Sequence, residues 1–336
     1  MSAWLDRHKT FRRVSVRRLE DTMVQTDASR IKKKGRLARI GHNLARDKWL
    51  YLLLLPGVLF FAIFRYVPMY DLRIAFMEYN MFQPSASEWV GLSQFISLFK
   101  KPAFFKVMRN TLAISFWKLL FGFPLPIILA LMMNEMRNLK FKKVSQTLLY
   151  LPYFISWVVL SGIIIDFLDP TSGLITMFIK SITGENIQVL TSKTAFVPML
   201  VISDLYKGMG WGTIVYFAAL SGVDPQLYEA AAIDGAGRFR QLLSVTLPAI
   251  MPTVILMAIL SCNNILNAGF DQIFMLYNSL VYDVADIIDT YVYRIGIQKS
   301  SYSFSTAAGM FKSVIALVLI VTVNFAAKKS GNAGIW

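Results

Sequence analysis

Asp224-Pro225-Gln226-Leu227-Tyr228-Glu229-Ala230-Ala231-Ala232-Ile233-Asp234-Gly235-Ala236-Gly237-Arg238-Phe239 reads as a short helix punctuated at both ends. Asp224 carries a side-chain oxygen that can accept from the first free backbone N–H groups, and Pro225 suits the first helical position. Gly235 and Gly237 suit the stop, where the chain turns through a positive φ that a side chain opposes. Ala230, Ala231 and Ala232 form a small face that lets another backbone approach closely, with Glu229 and Asp234 as carboxylates at its edges. Taken alone, this is a surface helix in a loop. The sequence on either side changes its meaning.

On both sides the chain becomes apolar for longer than a soluble core element requires. A bilayer core roughly 30 Å thick needs about 20 consecutive, mostly apolar residues per helical span. Six windows meet that demand, at about 49–69, 108–134, 144–167, 195–221, 248–270 and 304–327. With 55% apolar and 16% charged residues and a mean hydropathy of +0.50, the 336-residue chain is expected to be an all-α integral membrane protein. An even number of spans puts both termini on one side. Residues 1–48 hold fourteen Lys/Arg against five Asp/Glu, including Lys32-Lys33-Lys34. A nucleic-acid-binding arm has similar composition, but before a span such charge fixes orientation, so the tail is assigned to the cytoplasm and no nucleic-acid partner is expected. The assignment places 22 Lys/Arg inside and 8 outside, with Arg137, Lys140, Lys142 and Lys143 in a short inner loop. It divides the chain into a basic tail (1–48), a six-helix domain (49–327) with a cytoplasmic loop at 222–247, and a C-terminal tail (328–336). Trp49 to Phe64 is read as a retained span rather than a cleaved signal.

The whole spacing of the loop is Glu229-Ala230-Ala231, three residues, Gly235, nine residues, then Val245-Thr246-Leu247-Pro248. It resembles the EAA loop of ABC-importer permeases, with Val245 where the family has isoleucine. The resemblance implies the type I importer permease fold. It also implies a coupling helix that docks into a dimer of separate ATPase subunits, with Glu229, Ala230, Ala231, Asp234, Gly235, Ala236, Leu247 and Pro248 carried over residue by residue. Closure of the ATPase dimer would then rock the spans between inward-facing and outward-facing states. The chain lacks G-x-x-x-x-G-K-[ST], H-E-x-x-H, a Cys/His cluster and a nucleophile elbow; its histidines are His8 and His42, and its one cysteine, Cys262, lies in a span. Catalysis is therefore not expected of this chain, which needs no cofactor of its own, and ATP and Mg²⁺ belong to the partner ATPase.

The basic tail, Tyr51-Leu52-Leu53-Leu54-Leu55-Pro56-Gly57 and Tyr150-Leu151-Pro152-Tyr153-Phe154-Ile155-Ser156 are similar to permeases for oligo- and polysaccharide uptake, such as alginate or maltose importers. That likeness implies a second, homologous permease, an extracytoplasmic solute-binding protein and a location in the bacterial cytoplasmic membrane. Ionisable residues within spans normally face the bundle interior or water. Lys118, Asp204, Lys207 and Lys312 are such residues; Asp204 and Lys207, three apart, could neutralise each other, while Lys118 has no partner nearby in sequence. If unpaired lysines face a cavity, with Trp117, Tyr153 and Trp211 as flat faces for sugar rings, an acidic oligosaccharide follows. Lysines near span ends can instead snorkel to headgroups. Asn263, Asn264 and Asn267 could bond sugar hydroxyls or a partner helix. In the outer loops, surface-lying helices are expected, and Asp283, Asp286 and Asp289 at spacing three read as a solvated face. The alternative classes are an ion-coupled secondary transporter and a polytopic membrane enzyme. Neither has a use for an ATPase socket.

Overall fold

The computed structural model describes residues 46–184, 188–262 and 265–329. The tail over 1–45 with its histidines, Asn263, Asn264 and the residues from 330 onward lie outside the described residues. The described residues divide into two compact units, 46–71 and 72–329.

Helix α1 (Lys48–Phe61) continues through a π-helical turn (Ala62–Tyr66) into a 3₁₀ stretch (Val67–Phe76), whose residues from Leu72 onward belong to the second unit. A minimal antiparallel hairpin follows, β1 (Met77–Glu78) against β2 (Glu88–Trp89), with Met77 opposite Trp89. Trp89 stacks on Phe76 at 5.7 Å. Then come α2 (Ser93–Lys100), α3 (Pro102–Gly122) and α4 (Pro124–Asn134), the last two each starting on a proline whose missing N–H costs nothing there.

Next is α5 (Leu139–Tyr150), capped by Asn138, whose side chain accepts from the N–H groups of Lys140 and Phe141. A 3₁₀ turn (Leu151–Phe154) leads to α6 (Trp157–Phe167), and the two helices meet at 99°. The expected straight span over 144–167 is thus a broken one. Pro152 cannot donate into a continuing helix, and Ser156, in extended backbone, restarts the chain by accepting from the N–H of Val159 at 3.3 Å.

Beyond α7 (Leu174–Thr183), α8 (Phe196–Ser221) runs for 26 residues, about 39 Å at 1.5 Å per residue, along α3, α4 and α5. Two glycines set its closest approaches. A Cβ on Gly210 would overlap the carbonyl of Leu149, and one on Gly212 would lie 2.8 Å from Pro126. Then follow α9 (Pro225–Ile233), α10 (Arg238–Gln241), a π-helical turn (Leu242–Thr246) and α11 (Leu247–Cys262). The span expected to reach residue 270 is helical through Cys262, while residues 265–269 are not, so Asn267 lies in a non-helical connection rather than on a helix face. The chain closes with α12 (Phe270–Leu276), α13 (Tyr282–Ala285), α14 (Ile288–Tyr293), a π-helical turn (Arg294–Gln298) and α15 (Tyr302–Lys329).

Among the described residues, four helical stretches are long and apolar enough to cross a membrane: Lys48–Phe76, Pro102–Asn134, Arg238–Ser261 and Tyr302–Phe325. The bent pair α5/α6 makes a fifth if counted as one span. α8 has the length but carries Asp204, Lys207 and several glycines, which lower its apolarity.

The segment from 278 to 303 is packed within the protein, because Val281, Ala285, Ile287 and Ile288 are fully buried against α3, α8, α12 and the start of α15. Its aspartates do not form one solvated face. The helix breaks at Asp286 and Ile287, and each carboxylate finds its own cation. Asp283 takes Lys106 and Lys193, each at 2.5 Å; Asp286 takes Arg294; Asp289 takes Lys312 at 2.6 Å. The hydrogen bond from Lys106, then that from Lys193, holds the Asp283 carboxyl at about 2. Lys312, read from sequence as facing the bundle interior or water, is ion-paired with Asp289.

Candidate functional site

At the loop, α9 has the punctuation that its sequence implies. The Asp224 carboxylate accepts from the N–H of Gln226 at 2.9 Å, with Pro225 behind it. At the far end Gly235 adopts φ +76°. Its N–H donates to the carbonyl of Ala232 at 3.0 Å, and that of Ala236 donates to Ala231 at 2.9 Å. This crossed pair of bonds is the Schellman stop, in which a left-handed residue lets two orphan carbonyls be satisfied. The closing turn leaves the helix with no buried residue. Glu229, Ala230 and Asp234 are exposed, Ala231 and Ala236 half-buried, and Ile233 and Phe239 are 87% and 75% exposed. Two large apolar side chains standing out beside a small-residue face form a surface ready for a partner. Leu247 and Pro248 open α11, and the hydroxyls of Tyr228 and Thr246 meet at 3.0 Å.

A second constellation lies inside the helices. Lys118, 9% exposed, donates to the Ala268 carbonyl at 2.8 Å, to Asp204 Oδ1 at 3.2 Å and to Gln272 Oε1. Gln272, fully buried, turns its amide the other way, to the Leu200 carbonyl and Ser203 Oγ, both at 2.7 Å. One ammonium and one amide thus join α3, α8, the 265–269 connection and α12. Asp204 pairs with Lys118 and not with Lys207, which corrects the local pairing expected along one helix; the partner stands on another helix, 86 residues away. A cavity of about 390 Å³ opens beside this hub, lined by Ser115, Lys118, Asp204, Ser261, Asn267 and Gly269 among others. Replacing Lys118 with methionine would strand Gln272 Oε1 and the Ala268 carbonyl. We expect a loss of about 2 kcal/mol, read as a lower melting temperature of the detergent-purified protein; an unchanged melt would mean the hub does not form.

Lys207 serves the broken span. Its ammonium lies among the carbonyls of Pro152 (3.5 Å), Tyr153 (2.8 Å) and Ile155 at the bend, where the Pro152 carbonyl also accepts from the N–H of Ile155 at 3.2 Å. It also stands over the rings of Tyr153 and Trp157, each at 5.6 Å. Tyr153 and Trp211 stack at 4.4 Å with planes 3° apart, beside a groove of about 410 Å³ lined by Tyr153, Phe154, Trp157, Lys207 and Asp271. Trp117 does not join them. It stacks on Phe121 in a separate apolar groove with Val197, Val201 and Leu205. Lys118 has a carboxylate partner in Asp204, whereas Lys207, among the described residues, is held by backbone carbonyls and forms no salt bridge. Sequence reasoning passed over Gln272 and Ser203, which carry no local motif. The one available signal was a glutamine and an aspartate interrupting an apolar stretch after Gly269.

Residues 122–330 match the family described as "Binding-protein-dependent transport system inner membrane component". The chain is 48% identical over 294 residues to "Protein LplB" of Bacillus subtilis, covering 87% of this chain and 92% of the relative. It is 43% identical over 305 residues to the "Polygalacturonan/rhamnogalacturonan transport system permease protein YteP" of the same organism, covering 90% and 95%. Among solved structures it is similar to a chain of a bacterial ABC transporter involved in the import of the acidic polysaccharide alginate, with a TM-score of 0.80, 39% identity and coverage of 87% and 99%. A bacterial alginate ABC transporter in complex with an alginate pentasaccharide-bound periplasmic protein gives a TM-score of 0.81 at 38% identity, covering 88% and 100%.

Proposed function

The chain belongs to the inner-membrane permeases of binding-protein-dependent ABC transporters, and from that premise we propose that it forms half of the import path for an acidic oligo- or polysaccharide. A second, homologous permease supplies the other half, a solute-binding protein delivers the saccharide from outside, and a dimer of ATPase subunits binds ATP and Mg²⁺ and does the hydrolysis. The chain itself acts in transport and catalyses nothing.

The observation that carries this reading is α9. It is a capped, closed helix with its small face and its apolar neighbours Ile233 and Phe239 uncovered. Glu229, Ala230, Ala231, Asp234, Gly235 and Ala236 make the knob that enters the ATPase socket, and Leu247 and Pro248 begin the span it moves. In this reading α8 is the sixth span, polar because it faces the bundle interior, and both termini are cytoplasmic. The Tyr153/Trp211 platform supplies flat faces for sugar rings, and Asp204 and Asn267 offer hydrogen bonds in the hub cavity. The acidic character of the solute is supported by the polysaccharides named for YteP and for the alginate transporter.

The test is purification of the tagged chain from its native membranes in mild detergent, with the co-purifying proteins identified and ATPase activity measured. A nucleotide-binding subunit, a second permease and ATPase activity are expected; a chain that purifies alone and without activity would sink the proposal. In the same complex, Glu229→Ala and Gly235→Val are expected to cut solute uptake at least tenfold while leaving membrane insertion intact. At Gly235 the side chain would have to adopt a left-handed conformation costing roughly 1–2 kcal/mol. Normal uptake by both variants would contradict the coupling role. Equal uptake of neutral and uronate oligosaccharides would remove the acidic solute.

A further inference from the structure

The coupling helix has a mechanical weakness. Gly235 and Gly237 follow it, both with open space where a side chain would stand, so the direct chain path from α9 toward α11 is compliant. A push on α9 could be absorbed there instead of reaching the span. A second connection bypasses the glycines. Thr246, at the end of the π-helical turn and almost fully buried, meets the Tyr228 hydroxyl at 3.0 Å. Thr246 Oγ1 also lies 3.5 Å from the Gln241 carbonyl, and in the shorter contact between the two hydroxyls either one can donate. Gln241 in turn donates from Nε2 to the Ala236 carbonyl at 3.0 Å, bracing the turn from inside.

We propose that Tyr228 is a positioning residue for transport: through Thr246 it forms a strut that carries the motion of α9 directly to α11. The proposal rests on the docking role assigned to α9. Tyr228 touches neither solute nor nucleotide; it fixes the ratio of solute moved to ATP hydrolysed. The wide π turn contributes by bringing Thr246 and the Gln241 carbonyl together across five residues, where an α-helical turn would pair residues four apart.

The experiment is made on the complete transporter reconstituted in liposomes with its solute-binding protein, comparing the parent chain with Tyr228→Phe, Thr246→Val, their combination and Thr246→Ser. Each single variant that removes a hydroxyl is expected to keep its ATPase partner and its ATPase rate while moving about fivefold less solute per ATP, the worth of one neutral hydrogen bond. The double variant is expected to be no worse than either single one, because both remove the same contact. Thr246→Ser, which keeps the hydroxyl, is expected to match the parent. Solute moved per ATP that is unchanged in both single variants, or losses that multiply in the double variant, would overturn the strut. Loss of the co-purified ATPase from Tyr228→Phe would overturn it as well, by making the tyrosine part of the docking surface. Failure of the parent chain to hold any ATPase would count instead against the docking role of α9.

Discussion

Gly210→Ala is expected to remove most of the folded protein recoverable from membranes, whereas Gly208→Ala, two residues earlier on the same helix, is expected to be tolerated. Both changes add one methyl group and both raise helix propensity, so propensity cannot separate them. Position does. At Gly208 a Cβ meets nothing within 4 Å, while at Gly210 it would overlap the Leu149 carbonyl and stand 3.1 Å from the Tyr150 nitrogen. Backbone cannot swing aside like a side-chain tip, so α8 would have to lift from α5 and would lose its contacts along α4 as well. Overpacking of this kind costs about 3 kcal/mol at the upper end of its range. Small residues are the usual way for helices in a membrane to approach this closely. The yield of monodisperse protein from size-exclusion chromatography in detergent checks the pair. Equal yields would show that α8 and α5 do not touch at Gly210.

The second large effect is expected at Asp286. Its carboxylate, 7% exposed, accepts from Arg294 Nη1 at 3.1 Å, from Arg294 Nη2, and from the Thr290 hydroxyl at 2.8 Å. Arg294, 19% exposed, also lies 4.6 Å from the Tyr282 ring. Asp286→Ala would leave that guanidinium without its counter-charge in a packed site, a change that costs about 3–5 kcal/mol. The combined change Asp286→Leu with Arg294→Met is expected to be less damaging than Asp286→Ala alone, because no uncompensated charge remains. Asp283, three residues away, gives the contrast. It is exposed and its two lysines are solvated, so Asp283→Ala is expected to have little effect on stability at neutral pH. Melting temperatures of the four proteins would decide. A damaging Asp283→Ala beside a harmless Asp286→Ala would invert the assignment of buried and exposed pairs.

The shape of the 224–237 helix and its stop was readable from sequence because its determinants are local. A carboxylate before a proline, three small residues and a glycine at the stop act within one or two turns, and the structure puts a side-chain cap at Asp224 and a positive φ at Gly235. The interior pairing was not readable, for the opposite reason. Spacing along one helix suggested Asp204 with Lys207, but which residues of two different helices meet is decided by packing, and packing gives Asp204 to Lys118 and Lys207 to three carbonyls of the broken span. The 99° bend had a visible signal in Pro152 and Ser156, inside a window whose overall apolarity reads as one span. The aspartates of the 278–303 segment were misread because a three-residue spacing implies one face only if the helix continues, and it stops at Asp286. Of the residues singled out for a solute, Tyr153 and Trp211 come together, Trp117 stands apart, and Asn263 and Asn264 lie outside the described residues.

The ammonium of Lys207 among the carbonyls of the α5/α6 break has a consequence for the medium in which the protein works. Exposed carbonyls at a break in a span are the groups that transporters present to alkali-metal ions. Here the cation is covalently attached, so it cannot be diluted away, exchanged for sodium or potassium, or carried along with the cargo. The shape of the break is therefore expected not to depend on sodium or potassium, which equal melting temperatures of the detergent-purified protein in the two salts would check.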